Sequence, residues 1–272
     1  MAERPKLQSP AVNEASGLAI SSANPGFMWI INDSGGTPDI HLAGTDGTDR
    51  GKVTLAGTRN IDWEDLASFS LVGQNYLLVA DSGDNKSTRK SCTLYIVREP
   101  ALPTDGQILA GTVVPAWRIQ FHYEGGPRDC EAVAVDTKAG SIILVSKRTQ
   151  PPEVYQLPLR DTGKSGLLTA HKLGPTEVKS PLDELIPFRN QPTGLDITAD
   201  NTLAAVVTYA GVFLFPRKPG ETWADAFAKP PTALQPHLLG QAESVAFSKD
   251  GKSIYALSEG RGSPIARYQI QP

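Results

Sequence analysis

Apolar and polar residues alternate along this chain in short runs, and the runs recur. Five segments begin with small or acidic residues and continue with apolar residues at alternate positions. They are NEASGLAIS from Asn13, DWEDLASFS from Asp62, DCEAVAVD from Asp129, QPTGLDIT from Gln191 and QAESVAFS from Gln241. Such alternation predicts strands with a buried face. Centred on Leu18, Leu66, Val133, Leu195 and Val245, each segment is followed 14 or 15 residues later by the end of a second apolar run. The ends are WIIND at Asp33, LLVAD at Asp81, ILVSK at Lys147, AVVTY at Tyr209 and YALSE at Glu259. Turn residues such as Asn24-Pro25-Gly26, Gly73-Gln74-Asn75 and Lys249-Asp250-Gly251 separate the two runs, so each pair predicts a β-hairpin.

A third apolar stretch follows in every repeat, over residues 39–42, 93–97, 153–157, 211–215 and 266–270. A fourth is visible in some, as in Lys52-Val53-Thr54-Leu55 and over 117–121. Four antiparallel strands repeated around a ring describe the blades of a β-propeller. The expected fold is therefore all-β, one propeller domain over 1–272, with five blades; a degenerate sixth blade is the alternative. The five centres lie 48, 67, 62 and 50 residues apart. The long intervals are expected to hold loops, at Pro100 to Gly111 and Arg160 to Pro187. The segment around Pro5-Lys6-Leu7-Gln8 is expected to supply the outer strand of the last blade. Residues 218–234, with Trp223 and Phe227, predict a decorating loop with a helical turn.

Composition fits this picture. Hydrophobic residues make up 40%, and the 25 Gly and 22 Pro are aperiodic, as turn punctuation should be. A net charge of -3 and the lack of a basic stripe argue against nucleic acid as a partner. No apolar run is long enough to span a membrane as a helix. The start lacks the apolar core of a signal peptide. A cytoplasmic monomer is expected, or a periplasmic or secreted one if a leader has been removed. Cys92 and Cys130 do not form a metal-binding spacing and are expected as buried thiols, with a disulfide as the alternative for an exported protein.

The chemistry lies where the repeats begin and end. In a propeller the start of each first strand and the end of each second strand meet at one mouth of the channel. The starts carry Glu14, Asp62/Glu64, Asp129/Glu131 and Glu243, and the ends carry Asp33, Asp81, Lys147, Tyr209 and Glu259. That is nine carboxylates against one lysine. Carboxylates crowded in this way raise one another's pKa and call for a cation. Hard oxygen donors without histidine or cysteine suit Ca²⁺. The expected metal ligands are Glu14, Asp33, Glu64, Asp81, Glu243 and Glu259. Lys147, Arg148, Tyr209 and Arg128 are expected to hold an anionic small molecule, through the cationic forks and the phenol. Asp129 and Glu131 are the candidate catalytic bases of a metal-dependent hydrolase. The alternative is a non-catalytic propeller that binds a ligand or protein. Two Gly-Lys-Ser runs, at Gly163 and Gly251, lack the upstream glycine of a phosphate-binding loop.

The motifs NDSGG, DWEDLA and ADSGDN, with Glu99-Pro100 after them, resemble a group of bacterial β-propeller proteins over about the first hundred residues. More loosely, the chain is similar to calcium-dependent propeller hydrolases, the gluconolactonase group and the β-propeller phytases. The lactonase resemblance implies a metal ligand at Glu14, where that group has a glutamate at the start of a first strand. It implies lactone or phosphoester hydrolysis as the class of reaction.

Overall fold

The computed structural model describes residues 4–104, 106–163, 166–178 and 189–270. Lys164 and Ser165 of the first Gly-Lys-Ser run, and residues 179–187 of the long loop begun at Arg160, lie outside the described residues. The chain forms a five-bladed β-propeller. Blade 1 is β1 (Ala15–Ile20), β2 (Phe27–Asn32), β3 (Asp39–Gly44) and β4 (Asp49–Leu55). Blade 2 is β5 (Trp63–Leu71), β6 (Gln74–Asp81), β7 (Cys92–Arg98) and β9 (Trp117–Tyr123), with β8 (Thr112–Val113) in the connection before β9. Blade 3 is β10 (Cys130–Asp136), β11 (Ser141–Ser146), β12 (Glu153–Pro158) and β13 (Leu168–Pro175). Blade 4 is β14 (Gly194–Ile197), β15 (Leu203–Thr208), β16 (Gly211–Pro216) and β17 (Thr232–Ala233), with α1 (Trp223–Phe227) before the last strand. Blade 5 is β18 (Ala242–Phe247), β19 (Ser253–Ser258) and β20 (Ala266–Gln269).

The hairpin register repeats around the ring. Leu18 pairs with Ile30, Leu66 with Val79, Val133 with Leu144, Leu195 with Val206 and Val245 with Ala256. All ten side chains are buried. A central strand covered on both faces needs this apolar filling, because each blade packs on two neighbours. Trp63, fully buried, lies in a cluster with Trp29 and Ile40 of blade 1 and Leu77 and Val97 of blade 2, and so wedges those blades apart.

The long intervals carry strand as well as loop, because they cover the blades' outer edges. β8 pairs parallel with β4, and β13 pairs parallel with β9, which joins blades 2 and 3 into one eight-stranded sheet. An unpaired outer strand would expose a row of N–H and C=O groups. No sixth inner strand occurs among the described residues. Blade 5 has three strands of its own. Outside them, Leu7 N–H donates to the Ser263 carbonyl at 3.0 Å and Ile265 N–H donates to the Pro5 carbonyl at 2.8 Å. Leu7 is buried with Leu18, Tyr255 and Leu257. Gly47, at φ +88°, permits this: a Cβ there would lie 2.0 Å from the Lys6 carbonyl oxygen.

The residue-218 segment forms the helical turn α1. Thr222 and Asp225 close a capping box, and Trp223 and Phe227 are buried between blades 3 and 4.

The innermost strand of each blade has one edge facing the channel, and its N–H groups there lack a sheet partner. Two aspartates, the fully buried Asp65 and the partly exposed Asp196, serve them. Asp65 accepts from the N–H groups of Leu66 (2.8 Å), Val133 (2.7 Å) and Leu195 (3.0 Å), tying blade 2 to blades 3 and 4. Asp196 accepts from Ile197 (2.8 Å) and Phe247 (2.7 Å), tying blade 4 to blade 5. Cys92 and Cys130 are free, buried thiols, both pushed up to about 12 by burial.

Candidate metal centre

Side chains reach the mouth through a backbone device. The pairing register slips at the start of four inner strands: between Ala15 and Gly17, Trp63 and Asp65, Cys130 and Ala132, and Ala242 and Ser244. The residue skipped by each bulge is Ser16, Glu64, Glu131 or Glu243. Bulges re-aim a side chain and recur beside functional sites. In blade 4 Thr193 holds the corresponding place, donating its hydroxyl to the Ala242 carbonyl at 2.7 Å. Strand starts and ends do lie side by side. Asp33 N–H donates to the Glu14 carbonyl (2.9 Å), Lys147 N–H to that of Asp129 (2.9 Å) and Glu259 N–H to that of Gln241 (3.0 Å).

Two triplets of carboxylates converge there, and Glu64 belongs to both. Asp33, Asp62 and Glu64 each present an oxygen within 4.8 Å of the others, as do Glu64, Asp129 and Glu131. Glu64 is 3% exposed. Burial, then the neighbouring Glu131 and Asp33 charges, raise its pKa well above the carboxylate range. Burial and then Asp33 push Asp62 up to about 6. Gly83 closes over this group, and a Cβ there would lie 2.2 Å from Glu64 Oε1 and 2.6 Å from Asp62 Oδ2. Gly83 thus packs closely against Asp62 and Glu64, a contact that any side chain there would forbid. The Asp33, Asp62 and Glu64 oxygens are hard donors without nitrogen or sulfur, so the set fits a calcium-like ion.

The remaining groups pair among themselves. Lys147, 4% exposed, forms an ion pair with Glu131, lies 3.8 Å from Glu243 and donates to the Tyr209 hydroxyl at 3.3 Å. Tyr209 in turn donates to Glu243 at 2.6 Å. Burial outweighs the Lys147 charge at Glu131, which is pushed up to about 8. Arg148 Nε lies 2.6 Å from Asp129 Oδ2, and the other Asp129 oxygen accepts from Asp84 N–H at 2.8 Å. Glu259 lies outside both triplets. Burial and contact with Glu243 push it up to about 8.

The structure brings some of the expected ligands together and not others. Asp33 and Glu64 stand in the triplets, joined by Asp62, which the same two-residue spacing as Asp129/Glu131 could have marked. Glu14 is exposed, and Glu243 is committed to Tyr209 and Lys147. Asp81 is turned to Arg89, 2.8 Å away, because Arg89 folds back from the loop after β6. Asp129 and Glu131, the expected bases, are each tied to a cation. Arg128 points elsewhere: it holds Glu153 at 2.8 Å and three backbone carbonyls of its own turn. Lys147, Arg148 and Tyr209 stay at the mouth but are occupied by these partners.

No protein-family model matches the chain, and no curated protein matches it. Among solved structures, it is similar to a protein of Bacteroides uniformis provisionally assigned as a 6-phosphogluconolactonase. The identity is 14%, the TM-score 0.44, and the match covers 98% of this chain and 70% of the other.

Proposed function

We propose that the mouth binds a divalent cation, calcium by its donor chemistry, and that the protein is a metal-dependent hydrolase of a lactone or phosphoester. The observation that carries this reading is the convergence of Asp33, Asp62 and Glu64, whose oxygens lie within 4.8 Å of one another beside Gly83. Such an ion supplies Lewis-acid polarisation of a carbonyl or phosphoryl oxygen. The chain's own groups supply the rest. Glu259, outside the triplets and raised to about 8, holds a proton at neutral pH and can give it to a leaving oxygen. Lys147 and Tyr209 hold the Glu131 and Glu243 side chains in place, by an ion pair and a hydrogen bond respectively.

Calorimetry on chelator-treated protein tests the ion directly. Calcium should bind and raise the melting temperature by linkage to the folded state. Glu64→Gln should weaken both effects. Glu259→Gln should leave calcium binding intact and lower turnover of a chromogenic lactone or phosphate ester. Lack of calcium binding at millimolar concentration would remove the metal; hydrolysis untouched by Glu259→Gln would remove the acid.

A further inference from the structure

The opposite end of the channel, beneath the tight hairpin turns, contains a cavity of about 210 Å³ walled by residues from all five blades. Phe69 and Phe247 form apolar walls, and one carboxylate, Asp196, lines it. At the position after each strand centre the other blades carry Ala19, Ala67, Ala134 and Ala246. The repeat is thus built without a charge there, and the carboxylate is peculiar to blade 4. Its two backbone hydrogen bonds, to Ile197 and Phe247, use one lone pair on each oxygen and fix the group. Asp65, by contrast, is fully buried, and three N–H groups share its two oxygens. Asp196 stays partly exposed and, among the described residues, forms no ion pair. Lys249 also lines the cavity; it is exposed, and its ammonium is engaged by the Ser22 carbonyl at 2.5 Å.

We propose that this cavity is a binding site for a small organic ammonium ion, with Asp196 as its charged anchor. A positioned, partly desolvated carboxylate lacking a counter-ion is a strong acceptor for N⁺–H donors. Aromatic walls add attraction for a cation. The inference is independent of the acidic mouth, from which the cavity is separated by the length of the inner strands.

The test is an amide NMR titration with benzylammonium, using benzyl alcohol as the neutral counterpart. Saturable shifts are expected at Phe69, Ile197 and Phe247. Affinity should fall about tenfold for the alcohol and about tenfold in Asp196→Asn, the weight of one charged hydrogen bond. Shifts confined to residues around Asp33 and Glu64, equal affinity for the alcohol, or unchanged affinity in Asp196→Asn would each overturn the site. If Asp196→Asn fails to fold, Asp196→Ala, the residue of the other blades, takes its place, and the comparison with benzyl alcohol in the unmodified protein still decides.

Discussion

Lys147 and its carboxylates show what burial does to charge at the mouth. Removing Glu131 from water costs more than the adjacent ammonium returns, so the acid is raised to about 8 despite its ion pair. Glu259 stands at about 8 for a similar reason. An acid with a raised pKa keeps a proton that the unfolded chain has already released. The stability it contributes is therefore complete below the unfolded pKa and is lost as pH rises through the folded value. His41 and His237, lowered by burial, act in the opposite sense, but only below about pH 6.5, their ordinary pKa. From pH 6.5 to 9 the carboxylates are left in control. In chelator the melting temperature should fall by several degrees across that range, and millimolar calcium should offset the fall. A flat or rising profile in chelator would contradict the raised values.

Each inner strand does two jobs at the element scale: its bulge aims a side chain at the mouth, and its free edge must be satisfied along the channel. Asp65 meets the second need for three blades at once. In Asp65→Asn the amide nitrogen must face at least one N–H group that the carboxylate now accepts. A buried, unpaired donor costs ~1–3 kcal/mol, so the variant should lose about that much stability and bind calcium as before. Urea unfolding with an unchanged slope would measure this. Wild-type stability in Asp65→Asn would mean that water, not the aspartate, satisfies the channel edge.

The whole ring depends on covered edges. β8 and the β9–β13 pairing cover the outer strands of blades 1 to 3. The segment around Lys6 pairs by an isolated bridge and two hydrogen bonds with residues 263–265, just before β20 of blade 5. Deleting residues 2–10 removes those hydrogen bonds and the buried Leu7. The melting temperature should drop by several degrees, since burial of one leucine contributes ~1.5–3 kcal/mol. Unchanged melting in a scanning calorimeter would show that the ring closes without this segment.

The spacing of 14 or 15 residues between strand centre and strand end determined the hairpins, because a hairpin is a local structure whose register follows from turn length and alternation. Five such units, each with two apolar faces, left a closed ring as the way to bury them. The carboxylates near Glu64 were likewise legible, because their places at strand starts repeat. Most of their partners were not. Asp65 meets Leu195 across 130 positions of chain, Asp129 meets Arg148, and Arg128, its neighbour, turns away to Glu153. Alternation states which face of a strand is buried, but an ion pair depends on which side chains from distant blades arrive within about 3 Å. For the same reason only the assembled ring showed that Gly83 lies against Asp62 and Glu64, and that Asp196 lines a cavity at the far end of the channel.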